Sequence, residues 1–344
     1  MKKQLLRKIV TSENITALGL FAYLIMYPLS HSAYRTMNMA NFLATIILAL
    51  SLTLVWGYTG IFSYAQAAFF GIGGYTYAVL CKNFVGTGMT PLFLLAGMAA
   101  GFVVAMILGF FMFYGGINGV FVALITMCFT MVLETFLQQT AGAQWHIGDA
   151  LLGGFNGINS ITKLTFGAIV LKNQSLYIFA LIMLIFIYVG FRYMEVNKLG
   201  YTLVSIREKQ TRSELLGYNT AFIQMMIFAV SGAMAALAGV LYTTWGGYIV
   251  PTAVGMTQAT IPVVLVAAGG KKNSTAVILF SLLYLNLSQN LAAIGTQYSL
   301  IILGVILLFV VLIVPKGIFH SLFEIIDDKV IRRKFAKTKE GAEL

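Results

Sequence analysis

Residues 92–114 read LFLLAGMAAGFVVAMILGFFMFY, 23 positions without a charge. A helix rising 1.5 Å per residue needs about 20 apolar residues to cross the roughly 30 Å of hydrocarbon in a bilayer. A barrel strand would alternate with period two, and this run does not. Similar runs lie on either side of it. The expected spans are Ile15–Ser30, Met39–Trp56, Tyr64–Cys81, Leu92–Tyr114, Val120–Gln138, Ser175–Tyr193, Phe222–Trp245, Thr257–Ala268, Thr275–Ala293 and Tyr298–Val314. Composition agrees, with 59% hydrophobic and 10% charged residues and a mean hydropathy of +0.89. Soluble chains carry about 25% charged residues, so this one could not cover itself with a wetted surface. The expected fold is all-α: a polytopic transmembrane helical bundle of about ten spans, forming a single domain over residues 1–344.

Charge tests that count. With the N-terminus inside and ten spans, 18 of the 22 Lys and Arg residues fall on the inner side. They cluster at Lys2–Lys8, Arg192–Arg212, Lys271–Lys272 and Lys316–Lys339, leaving Arg35, Lys82, Lys163 and Lys172 outside. Basic residues collect on the cytoplasmic side, and one helix more or fewer before Arg192 would split the clusters. Both termini are therefore expected in the cytoplasm. The net charge of +11 reads as topology and not as a nucleic-acid surface. No Ala-x-Ala site follows the first apolar run, so a retained first helix is expected. The basic tail, about 319–344, carries interleaved Phe323, Ile325, Ile326, Val330, Ile331 and Phe335 and suits an amphipathic helix on anionic headgroups. Cys81 and Cys128 lie in apolar runs and read as small buried hydrophobes.

Covalent chemistry finds little support. There is no phosphate-binding Gly-rich loop ending in Lys, so ATP would have to be bound elsewhere. Gly71-Ile72-Gly73-Gly74 lies inside an apolar run without a preceding strand and reads as close helix packing. His31, His146 and His320 lack ligand spacing, so no metal or cofactor is expected. Glu134 is the exceptional carboxylate within a span, marking either a pathway or a reach to the headgroups. Two segments break their helices: Trp56-Gly57-Tyr58-Thr59-Gly60 and Trp245-Gly246-Gly247-Tyr248-Ile249-Val250-Pro251. Freed backbone groups are tolerated only against protein or a wet cavity. The two breaks fall at comparable places in the two halves, the trace of a pseudo-repeat in a transporter. Tyr58, Tyr64, Gln66, Glu134, Tyr248 and Gln258 become pathway candidates, with core packing as the other role for each.

From Leu52 to Ile318 the chain also resembles a known family. Leu52-Thr53-Leu54-Val55-Trp56-Gly57-Tyr58-Thr59-Gly60, Ser63 and Ala67–Thr76 resemble the early signature of branched-chain amino acid ABC permeases of the LivM type, to which urea and amide permeases are related. Gly153–Ile158 with Glu134 upstream, Gly200–Glu208, Leu216–Asn219, Phe228–Gly232, Leu237–Tyr242 and Val314–Ile318 follow in family order. One stretch departs: Ala267–Ser274 lacks the family's later glycines and proline. The resemblance implies an importer permease in the bacterial inner (cell) membrane that pairs with a similar second permease. Two cytoplasmic ATP-binding subunits and an extracellular solute-binding protein would complete it. It makes Ile206–Asn219 the coupling segment, with Ile206, Arg207, Glu208, Arg212, Glu214, Leu216 and Gly217 as its candidate residues. The residues allow this. Arg207, Glu208, Lys209, Arg212 and Glu214 can face water or a partner, while Leu203, Ile206, Leu215 and Leu216 would anchor a short helix. The implied solute is a branched-chain amino acid, then urea or short amides, then nucleosides or sugars. A stand-alone secondary transporter would call for more intramembrane ionisable groups than Glu134. A membrane enzyme would call for an inward His, Asp or Ser cluster.

Overall fold

The computed structural model describes residues 12–167, 169–293, 304–305 and 317–326. Its helices are α1 (Ser12–Ser30), α2 (Ala33–Leu52, continued by a π-helical turn Thr53–Thr59), α3 (Gln66–Asn83), α4 (Thr90–Tyr114) and α5 (Val120–Gln139). After a long connection come α6 (Gln174–Val196), the short α7 (Lys198–Glu208) and α8 (Gln210–Leu215), and α9 (Thr220–Gly246). A one-turn Pro251–Ala253 helix precedes α10 (Met256–Gly269), followed by α11 (Ser274–Ala293) and α12 (Ile318–Ile326).

Among the described residues, seven helices are long and apolar enough to cross a membrane: Ala33–Thr59, Thr90–Tyr114, Val120–Gln139, Gln174–Val196, Thr220–Gly246, Pro251–Gly269 and Ser274–Ala293. Ten spans are therefore not established. Two of the other expected spans are helices, α1 and α3, that fall short of that combination of length and hydropathy. The third, Tyr298–Val314, lies outside the described residues but for 304–305, and Lys2–Lys8 and the tail beyond Ile326 lie wholly outside them. The shortfall of α3 has a physical reason. Gln66, three glycines and two tyrosines dilute its hydropathy, yet most of its length is buried by protein, so it has little lipid to satisfy.

The chain divides into two compact units, one spanning His31–Val264 and the other holding the described residues before and after it. In the larger unit α9 is the hub, packed on α4, α3 and α2. Small residues let these backbones approach. A Cβ on Gly73 would lie 2.6 Å from Ala236 Cα, and one on Gly97 would lie 2.9 Å from the Gly73 carbonyl oxygen. Gly101 and Gly232 pack the same way between α4 and α9, as expected where lipid removes the hydrophobic drive and dispersion decides association. In the smaller unit α11 packs on α1 and α12, and Thr275 Oγ1 donates to Glu13 Oε1 at 3.1 Å.

The connection after α5 is more ordered than an all-helical reading suggests. It holds two small antiparallel hairpins, β1 (His146–Ile147) with β2 (Ala150–Leu151) and β4 (Thr165–Phe166) with β5 (Ile169–Val170). Between them β3 (Ile158–Asn159) pairs antiparallel with β6 (Tyr248–Ile249), the segment just after α9. The ends of α5 and α9 are thus tied at one end of the unit. The 23 residues of α6 carry the chain about 34 Å to the other end, where α7 and α8 lie. Cys81 is buried as expected; Cys128 is exposed on α5, correcting its reading as a buried hydrophobe.

Candidate functional site

The segment Ile206–Gly217 folds as a two-helix hairpin. Lys209 is extended between α7 and α8 (φ −155°, ψ 98°), and the Ser205 and Ser213 hydroxyls meet at 2.8 Å across the corner. Leu203 and Ile206 are buried and seat α7. Leu215 and Leu216 do not anchor α8: they are 83% and 73% exposed. A six-residue helix presents under two turns, and Ser213 takes its one buried position. The chain leaves α8 through Gly217 at φ +87°, a left-handed C-terminal position that glycine adopts without a Cβ clash. Tyr218 N–H then donates to the Ser213 carbonyl at 3.1 Å. Asn219 caps α9, its Oδ1 accepting from Phe222 N–H at 3.0 Å.

The charged residues of this hairpin divide. Glu208 and Arg212 are exposed. Glu214 is also exposed, but it accepts from Thr220 Oγ1 at 2.7 Å and Gln210 Nε2 at 2.9 Å. These bonds, the Thr220 one first, hold its carboxyl below the ordinary glutamate range. Arg207 does not turn to water. Its Nη1 donates to the Gly57 carbonyl at 2.6 Å, reaching back to the π turn of α2.

Tyr58, in that same turn, donates its hydroxyl to Glu195 Oε1 at the end of α6. Arg192 Nη1 holds the other carboxylate oxygen at 2.9 Å, and the Phe191 ring lies 5.6 Å from that of Tyr58. Glu195 and Arg192 were not singled out from sequence. Their i,i+3 spacing with opposite charge at a span end was the available signal.

The other pathway candidates lie further along the unit. Past Gly60 the chain runs non-helical to Ala65, and α5 satisfies the freed backbone. Tyr64 N–H donates to Thr126 Oγ1 at 3.1 Å, and Thr130 Oγ1 donates to the Tyr64 carbonyl at 3.2 Å. Gln66 opens α3. Its Nε2 donates to Ser231 Oγ on α9 at 2.9 Å, and its buried Oε1 has no partner among the described residues. Glu134 continues the α5 row Thr126, Thr130, Glu134, Gln138, each four residues on and so on one face. It accepts from Gln138 Nε2 at 3.2 Å and packs its carboxylate on Gly255, at the start of α10. A carboxylate at a helix N-terminus is favoured by the unpaired N–H groups there.

Tyr248 stands at the second break. There β6 is held by β3, Ile161 N–H donates to the Gly247 carbonyl at 2.9 Å, and the Tyr242 hydroxyl donates to that of Tyr248 at 3.4 Å. Gln258 is half-buried on α10, and its side chain makes no hydrogen bond among the described residues. The structure thus gathers Tyr64, Gln66 and Glu134 along α5 and the starts of α3 and α10. Tyr58 stands apart with Arg207, and Tyr248 with the first long connection.

The family described as branched-chain amino acid transport system / permease component matches residues 35–311. The high-affinity branched-chain amino acid transport system permease protein LivM of Salmonella typhimurium is 26% identical over 300 residues, covering 79% of this chain and 67% of its own. The Escherichia coli K12 protein of that name shows the same identity and coverage. The permease protein LivH of Salmonella typhimurium, from a transport system of the same description, is 25% identical over 288 residues, covering 79% of this chain and 90% of its own. No solved structure gives a significant match.

Proposed function

The chain belongs to the branched-chain amino acid transport permease family, and from that premise we propose that it is the transmembrane permease subunit of an ABC importer. It moves branched-chain amino acids by alternating access, driven by partner ATPases. The observation that carries this reading is the family match over residues 35–311. Similarity to both LivM and LivH supports pairing with a second, homologous permease. An extracellular binding protein delivers the solute. This chain needs no cofactor of its own, since ATP is bound by the partners.

The α7–α8 hairpin is where the ATPase docks. Leu215, Leu216 and Tyr218 are exposed on a tip that also carries Arg212. An apolar anchor ringed by charge suits burial in a partner's groove. With the basic clusters inside, that tip and both termini are cytoplasmic, in a bacterial cell membrane.

The test is purification from native membranes with radiolabelled leucine uptake in reconstituted vesicles. An ATPase subunit is expected to co-purify. Leu216→Asp is expected to cost its capture and to abolish ATP-driven uptake, as burying an unpaired charge would. If no ATPase co-purifies and the variant still transports, the reading fails. Urea or acetamide uptake in place of leucine would reassign the solute and leave the ABC assignment intact.

A further inference from the structure

An ATPase that moves the α7–α8 hairpin does nothing unless that motion reaches the spanning helices. Besides the bonds from α8 to the start of α9, the structure contains a link from α7 to a spanning helix far away in sequence. Arg207, near the C-terminal end of α7, places its Nη1 2.6 Å from the Gly57 carbonyl. Gly57 lies in the π turn of α2, where the regular i→i−4 ladder is broken and a carbonyl is free to accept from outside. The aliphatic stem of Arg207 crosses Gly60: a Cβ at Gly60 would lie 2.9 Å from Arg207 Cγ, and Gly60 itself holds φ +78°. Only a glycine leaves both the conformation and the space.

Magnitudes rank the contacts of Arg207. Its side chain is 18% exposed, whereas Glu208, which meets Nη2 at 3.2 Å, is 66% exposed. That ion pair is screened by water and contributes little. The guanidinium-to-carbonyl bond is charge-assisted and mostly shielded, so it is the stronger tie. On the same turn Tyr58 is bonded to Glu195, which Arg192 holds. The π turn is therefore gripped from α7 on one side and the end of α6 on the other. Six residues beyond Gly60 begins α3 with Gln66, packed against α9.

We infer that Arg207 is a positioning residue for energy coupling, a clasp that makes the α7–α8 hairpin and the broken end of α2 move as one body. Motion of the docked hairpin is then delivered to the Gly60–Ala65 break and to the start of α3. The inference rests on the permease reading above and adds to it a residue through which force reaches the broken end of α2.

The experiment compares wild type, Arg207→Gln and Arg207→Lys in the assembled complex in proteoliposomes, measuring ATP hydrolysis and leucine uptake in the same vesicles. Both variants keep the stem that packs on Gly60 and change the donor. Glutamine is expected to leave assembly and hydrolysis near wild type while leucine imported per ATP falls about tenfold, the loss of one charge-assisted bond. Lysine is expected to restore part of the yield. Unchanged leucine per ATP in Arg207→Gln overturns the inference. So does a proportional fall of both activities, or loss of the folded complex in both variants, because each makes Arg207 merely structural. Wild-type vesicles that import neither leucine nor urea nor acetamide on ATP addition overturn the function itself, before any variant is compared.

Discussion

Gly73 sits where α3 crosses α9, with Ala236 Cα 2.6 Å from where its own Cβ would be. Gly73→Val forces that backbone contact apart, and overpacking of this kind costs about 1–3 kcal/mol. A lower Tm in detergent is the expected result, with Gly190→Ala on α6, where a Cβ meets nothing within 4 Å, as the milder comparison. Glu214 makes a different prediction. Its folded carboxyl is depressed by Thr220 and Gln210, so the tie is fully present above the unfolded value of about 4.3 and is lost as pH falls through the folded value. Hydrogen exchange over residues 210–220, corrected for intrinsic rate, should stay flat from about pH 8 to 5 and rise below about pH 4. Glu214→Gln should remove that acid step. The packing role of Gly71–Gly74 was legible in sequence because glycines in an apolar run have few other uses. Arg207 was not. An arginine on a solvated loop and one reaching for a carbonyl 150 positions away are identical in composition, and only the fold tells them apart.

At the scale of elements, α5 shows how a helix can belong to lipid and protein at once. Phe121, Leu124 and Val132 are 68%, 51% and 67% exposed, while Thr126 and Thr130 are fully buried against Tyr64. Thr130→Val keeps the shape but leaves the Tyr64 carbonyl without that donor, a loss of about 1–3 kcal/mol for a buried group. Val132→Trp on the opposite face should be tolerated. Folded yield on gel filtration separates the two, and equal yields would sink the account of the face. Helix positions were readable to within a few residues because continuous hydropathy reports length directly. The spanning status of α3 was less readable. Protein shields it, so its composition need not satisfy lipid. The small strands at β3 and β6 were invisible, since a two-residue pairing between segments about 90 apart leaves no local period.

For the larger unit as a whole, topology is a statement about which end each connection occupies. The connection after α5 is tied by β3–β6 to the end of α9, and Asn83, at the end of α3, holds Asp149 N–H and the Ile147 carbonyl. At the opposite end of α6, Tyr58 ties α2 to Glu195 of α6, and Arg207 ties it to the hairpin that carries Lys198, Lys209 and Arg212. The geometry separates two faces, and charge chooses between them: the basic hairpin belongs in the cytoplasm. Single cysteines placed at Phe155 and Glu208, both exposed, in a Cys81→Ala, Cys128→Ser background make the choice measurable. A membrane-impermeant maleimide should label Phe155→Cys in right-side-out vesicles and Glu208→Cys only in inverted ones. Labelling of both from one side would contradict the geometry, because α6 would then fail to cross. The reversed pattern would preserve the geometry and overturn the charge argument, putting the exposed Leu215–Leu216 tip out of reach of any ATPase.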